Sequence, residues 1–222
     1  MANPNLDRER RLEIGRNRRE KTRAKIIAAA FEILGEENGI FTRVEDVSSR
    51  AGITRSTFYA HFESLAELRD AVSYELTHEF LASVTLTISF LDDPCERAAA
   101  AIRFYLKRTF EDAHWGWSMI NLSSNGLIFG AETHRQAELT VQAGMDAGVF
   151  SVPDSALGRD LVLGSSLAAM ATIVRDRPGA DFPDLMAQTV LEGLGVSRKA
   201  AADIAFRPLP ALLHSPGDET AT

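Results

Sequence analysis

The chain has 222 residues, a 45% hydrophobic fraction and a formal net charge of -7, which is enough for one large domain, or a small domain joined to a larger one, with material for a real core. A single cysteine, Cys95, excludes an internal disulfide and fits a reducing, cytoplasmic compartment. The polar start "MANPNLDRERRLEIGRNRREKTRAK" contains no signal-peptide run, and no 18-residue apolar stretch exists, so no membrane partner is expected.

The charge is uneven along the chain. Residues 1–62 hold twelve Lys or Arg against nine Asp or Glu, whereas residues 63–222 hold twelve against twenty-two. A basic front on an acidic remainder points to a nucleic-acid-facing end, although basic tails also serve as plain solubilising surface. Residues 1–21 are expected to form a basic flexible arm, with the alternative that "RERRLEIGRNRREK" lengthens the first helix.

A helical pattern starts near Thr22, where Ile27, Ala30, Phe31 and Leu34 recur at spacings of three and four. Gly39 is the expected C-cap residue. Thr42 followed by Glu45 reads as a capping box opening a second helix, which Gly52 ends. Thr54 precedes a short helix over Arg55 to His61. Ser64 with Glu67 makes another capping box, opening a longer helix with Leu68, Val72, Leu76 and Phe80 in line. Asp92 or Asp93 caps a helix with Pro94 at its first position. Further helices follow at "HWGWSMINLSS", "AETHRQAELTVQAGMDAG", "LGRDLVLGSSLAAMATIVRD" and "DLMAQTVLEGLG". No alternating strand pattern occurs, so the fold class is all-α. The expected division is an arm over 1–21, a small domain over 22–68, a larger helical domain over 69–200 and a tail over 201–222.

Positions 42 to 62 have the spacing of a helix-turn-helix: capped helix, short turn with Gly52, second helix. A second helix of this kind fits the major groove. Thr54, Arg55, Ser56 and Thr57 then meet base edges or phosphates, while Phe58 and Phe62 face back into a small core. Tyr59 offers a hydroxyl and His61 a ring N–H to phosphate. Each residue also has a plain reading: Thr54 as an N-cap, Arg55 as surface, Tyr59 and His61 as packing.

The segments "IIAAAFEILGEENG" and "FTRVEDVSSRAGITRSTFYAHFESLAEL" together resemble the TetR family of transcriptional regulators, over about residues 22–72. That resemblance implies a three-helix DNA-binding domain whose third helix reads the major groove, joined to a helical effector-binding and dimerisation domain. It implies that Arg43 touches phosphate near the start of the second helix. Thr54, Arg55 and Ser56 lie at the reading end of the third, Thr57 faces groove or phosphate, and Tyr59 and His61 face the DNA backbone. One departure is Leu65, where relatives often carry a phosphate-binding lysine. The arginines at 8, 10, 11, 16, 18, 19 and 23 are candidates to compensate.

The resemblance also implies pairing of the last two long helices, about Ser155–Val174 and Pro183–Leu194, in a four-helix bundle of a homodimer. Two reading heads on successive major grooves then match a near-palindromic double-stranded operator. A pocket between the middle helices has Phe80, Phe104, Tyr105, Phe110, Trp115, Trp117, Met119 and Phe129 as candidate lining, each of which equally fits core packing. Few charges interrupt these segments, which favours a small, largely apolar or aromatic effector. His114 and His134 can add polar contacts. The implied function is a ligand-responsive repressor.

No nucleophile elbow, phosphate loop or metal-ligand spacing is present, so no catalytic residue, metal or cofactor is expected. Cys95, just after a helix-starting proline, can gain thiolate character there, but no partner histidine stands near it in sequence. The alternative class is a helical adaptor module without sequence-specific DNA binding.

Overall fold

Side chains that accept from free backbone N–H groups start the long helices. Ser64 Oγ accepts from the N–H of Glu67 at 3.2 Å, Asp93 Oδ1 from that of Cys95 at 2.8 Å, and Asp154 Oδ1 from that of Ala156 at 2.7 Å. Each satisfies one of the free N–H groups of a first turn. The structure is a computed structural model that describes residues 4–123 and 128–213. Its helices are α1 (Pro4–Leu34), α2 (Val44–Ala51), α3 (Arg55–Tyr59), α4 (Leu65–Ser89), α5 (Pro94–Glu111), α6 (Ala113–Leu122), α7 (Gly130–Asp146), α8 (Ser155–Asp176), α9 (Phe182–Gly193) and α10 (Arg198–Ala205). No strand occurs among the described residues. The fold is all-α, with a small N-terminal helical unit joined to a larger bundle.

Two apolar cores account for this arrangement. The first gathers Ile26, Ala30 and Leu34 of α1, Val47 and Ala51 of α2, Phe58 of α3, Phe62, and Leu68 and Val72 of α4. The second begins on the same α4, at Val84 and Ile88, and continues through α5 to α10. Helix α5 is its centre, packing on α4, α6, α7, α8, α9 and α10. A buried ion pair, Arg103 with Asp184, ties α5 to α9, and Arg103 also donates to the carbonyl of Arg207 at 2.8 Å.

Several local expectations shift. From Pro4 on, the residues read as a flexible arm belong to α1, as the alternative reading of a lengthened first helix has it. Helix α1 ends at Leu34, and Gly39 opens a 3-10 turn, Gly39–Phe41, instead of capping it. A Cβ at Gly39 would lie 2.6 Å from the carbonyl oxygen of Ile33, so close packing is what requires glycine here. The cap of α2 is one residue later than expected. Arg43 is the N-cap, and its N–H donates to the Asp46 carboxylate at 2.8 Å, while the Thr42 hydroxyl turns to the carbonyl of Gly39. Gly52 does end α2, in the left-handed region at φ 61°, where a side chain is strained. Helix α3 stops at Tyr59, two residues early.

Helix α8 corrects the expectation that no stretch is apolar enough to span a membrane. It has 22 residues, and an 18-residue window has mean hydropathy 1.4, sufficient by length and composition. Its apolar side chains Val162, Leu163, Ala169, Met170 and Ile173 are buried in the bundle, against α5, α6, α7 and α9. Beyond α10, Leu213 returns to α4, its N–H donating to Thr87 Oγ1 at 2.9 Å. Part of the expected tail therefore packs on the bundle, and residues 214–222 lie outside the described residues.

Candidate nucleic-acid interface and effector cavity

Helix α3 has one inward side chain, Phe58, fully buried against Phe62 at a ring separation of 5.9 Å. Everything else on it is left outside. Thr54 caps the helix: its Oγ1 accepts the N–H of Thr57 at 3.2 Å and also meets Ser56 Oγ at 2.8 Å and Thr57 Oγ1 at 2.9 Å. The three hydroxyls thus form one cluster at the helix start. Arg55 is exposed, its Nη1 2.9 Å from Glu45 Oε1 on α2. Arg43 is exposed beside the start of α2. Tyr59 is half exposed with its ring edge-on to Phe58. His61 is half-buried, and its Nδ1 is buried without a hydrogen-bond partner. Burial, then the charges of Arg19 and Arg23, lower its pKa below the usual 6.5.

Those two arginines brace the unit. Arg19 Nη2 donates to the carbonyl of Ala60 at 3.1 Å, just past α3. Arg23 lies over the Phe62 ring at 5.1 Å and pairs with Glu75 at 3.4 Å. Arg10, Arg16 and Arg18 are exposed along α1. Arg50 is held by Glu32 and Glu36, fixing α2 to α1. Leu65, at the first position of α4, packs against the small core.

In the larger unit a cavity of about 60 Å³ lies between α4, α5, α7 and α8. Its walls are aliphatic apart from the rings of Tyr105 and Phe129 and the polar side chains of Thr85, Thr133, Gln136, Thr140 and Ser166. Of the aromatic candidates, Tyr105 and Phe129 border it, stacked at 5.3 Å. Phe80 and Trp115 back Tyr105 at ring separations of 5.1 and 6.0 Å. Phe104 and Met119 are buried in the core, and Phe110 packs against that core. Trp117 is half-buried on the other side of α6, under the guanidinium of Arg175 at 5.1 Å. Burial pushes the Tyr105 phenol up to about 12, with Thr133 Oγ1 3.2 Å from its oxygen. Phe129 is held at φ 60°, unusual for so bulky a residue, with its N–H donating to Ser123 Oγ at 3.1 Å. It also walls off a surface cleft bordered by Arg69, Ser73 and Tyr74.

Helix α6 joins the two units. Asn121 Nδ2 donates to the carbonyls of Leu34 at 2.8 Å and Glu36 at 2.9 Å, capping the end of α1 from outside. His114 stands edge-on to Phe31 at 4.5 Å, its Nε2 3.3 Å from the carbonyl oxygen of Glu32. It therefore serves the junction and not the cavity. His134 is on α7 and does not border the cavity. Cys95 does not have the thiolate character its position allowed: burial, with Asp93 adding to it, pushes the thiol up to about 12. Among the described residues no group of three or more His, Cys, Asp or Glu can hold a metal ion.

Residues 26–72 match the family model described as bacterial regulatory proteins, tetR family, and residues 93–207 match the tetracyclin repressor-like C-terminal domain. The chain belongs to the TetR family. It is therefore a DNA-binding transcriptional regulator of the ligand-responsive type. No curated protein matches it by sequence. Among solved structures, this TetR-family chain resembles RolR in complex with resorcinol, with 26% identity and a TM-score of 0.71 over 89% of this chain and 99% of that one. RolR without ligand gives 25% identity and a TM-score of 0.67, over 85% and 98%. FadR from Bacillus subtilis, in complex with stearoyl-CoA, shares the fold at 19% identity and a TM-score of 0.59, over 77% and 96%.

Proposed function

We propose that this chain is a homodimeric cytoplasmic repressor that leaves a near-palindromic operator when a small, largely apolar or aromatic effector enters the cavity between α4, α5, α7 and α8. The observation that carries the DNA-binding half is α3 itself. Its single apolar anchor, Phe58, faces inward, and its hydroxyls, Arg55 and Tyr59 face out. Thr54, Arg55, Ser56 and Thr57 then face base edges or nearby phosphates, and Arg43, Tyr59 and His61 serve the backbone. Dimerisation is supported by α8 and α9. Leu157 and Ala168 on α8 and Leu185 and Thr189 on α9 remain exposed, and a Cβ at Gly164 would meet nothing within 4 Å. A stripe of small and apolar residues permits close approach of a second copy.

The effector half rests on the cavity and on the two helices that leave it. Helix α4 is continuous from Leu68 in the small core to Ile88 at the cavity wall. Helix α6 carries Trp115 behind Tyr105 and Asn121 at the end of α1. An effector that prefers one spacing of the two heads shifts the population, and effector and DNA affinities are then reciprocally coupled. The cavity, at about 60 Å³, is smaller than the ~150 Å³ that holds benzene in an engineered protein core, so an acyl chain is disfavoured and even a single ring requires the walls to part. The ligand of the RolR complex, resorcinol, is a single ring. The test titrates the purified protein onto its own upstream DNA across a salt series. Binding that is independent of sequence at every salt concentration overturns the regulator reading.

A further inference from the structure

The geometry points to the chemical class of the effector: an uncharged single ring bearing a hydroxyl that donates a hydrogen bond to Ser166 or Thr140. This rests on the cavity being the effector site, as proposed above. None of the described residues lining the cavity is charged. A carboxylate there would lose its hydration with no counter-ion to replace it, which costs several kcal/mol or forces it to take up a proton.

The hydroxyls narrow the choice further. Ser166 Oγ donates to the carbonyl of Val162 at 2.7 Å, and Thr140 Oγ1 to that of Gln136 at 3.0 Å. A hydroxyl has one hydrogen, so both oxygens have only lone pairs left for a guest. Gln136 turns its amide nitrogen away, to Glu132 at 2.9 Å. Tyr105 and Thr133 share one bond, which leaves one hydrogen between them, and Thr85 on α4 adds another hydroxyl. The α7–α8 wall therefore accepts and the Tyr105–Thr133 pair can donate. A ligand hydroxyl does both and satisfies both sides. An ether or ketone only accepts, so it has no bond to offer Ser166 or Thr140.

The experiment measures direct binding to the full-length protein by calorimetry, with resorcinol, its dimethyl ether, benzoate and toluene as probes. DNA release is followed in parallel by fluorescence anisotropy. Resorcinol is expected to bind at least tenfold more tightly than the other three. Ser166→Ala together with Thr140→Val, both close in shape to the originals, should weaken resorcinol about tenfold per lost bond and leave toluene unchanged. Equal binding of the dimethyl ether, toluene or benzoate overturns the inference, as does no binding by any probe. Tight resorcinol binding without DNA release upholds this ligand chemistry and instead overturns the reading of the cavity as an effector switch.

Discussion

Arg55 Nη1 lies 2.9 Å from Glu45 Oε1, so the basic side chain at the start of α3 is held by a carboxylate of α2. Both side chains are more than half exposed, at 62% and 52%. A pair in that setting is weak and easily exchanged for a phosphate or a guanine edge. Glu45 also brings a negative charge towards any DNA that meets α3. Glu45→Gln should tighten DNA binding by about two- to fivefold at low salt, with the gain fading as salt rises. Arg55→Gln should weaken it by about tenfold or more, with the fold and oligomeric state intact. Anisotropy titrations of both variants over a salt series check this, and an unchanged affinity for either one removes Arg55 from the interface.

His61 gives a test by pH. Its folded pKa lies below the usual value, from burial first and then from Arg19 and Arg23. The unfolded chain therefore takes up the proton more readily. The stability tied to neutral His61 is full above about pH 6.5, its unfolded value, and is lost as pH falls through the lowered folded pKa. A phosphate beside the ring has the opposite effect, because it favours the protonated form. Free protein should melt lower as pH falls from 7.5 to 5.5, while its affinity for operator DNA should rise. His61→Gln should flatten both trends. Melting curves and anisotropy over that range decide, and a DNA affinity that falls with the stability rules out a phosphate contact.

Asn121 is the clearest test of the junction. It is buried, and its amide holds the carbonyls of both Leu34 and Glu36. Asn121→Ala leaves those two acceptors without that donor, a loss of about 1–3 kcal/mol. The melting temperature should drop by a few degrees. DNA binding should persist, and the concentration of effector needed for release should change by several fold, since α6 no longer grips the end of α1. An unaltered effector response in a destabilised variant would make Asn121 purely structural.

The proposed dimer makes a separate demand. Ala168 is exposed on α8, one turn from Gly164. Ala168→Arg brings a charge and a long side chain into the expected contact between copies. Light scattering after gel filtration should report a dimer for the parent protein and a monomer for the variant, with helical content unchanged. A variant that stays dimeric moves the interface elsewhere.

The helices were legible because period, caps and glycines agree. Ser64, Asp93 and Thr54 cap as their sequence context predicts, and Gly52 closes α2 with the left-handed backbone that glycine favours. Phe58 and Phe62 pack inward as their spacing of four requires. The small core was readable for the same reason, since its contacts are close in sequence. The bundle interior was less so. Aromatic content marks where burial occurs but not which ring borders empty space: Tyr105 and Phe129 do, while Phe104 and Met119 fill the core. Thr133, Thr140 and Ser166 look in sequence like ordinary polar helix positions. Only the packing of α7 on α8 turns them towards the cavity. Asn121 acts across 87 positions, and no local pattern announces such a bond. Residues 1–21 were read as an arm because their charges mask any apolar period, yet from Pro4 on α1 runs through them, past Gly15, on residues that are mostly good helix formers.

The tie made by Asn121 has an engineering consequence. On the head side it grips main-chain oxygens, which every amino acid supplies, so it is indifferent to the side chains of α1. On the body side it depends on one particular amide. Reading heads taken from other regulators should graft onto this sensor when their first helix ends at the same register and glycine stands at positions 35 and 39, where a Cβ would meet His114 and the Asn121 amide. The reverse graft, this head on a foreign body, should run loose unless position 121 of that body is rebuilt as asparagine.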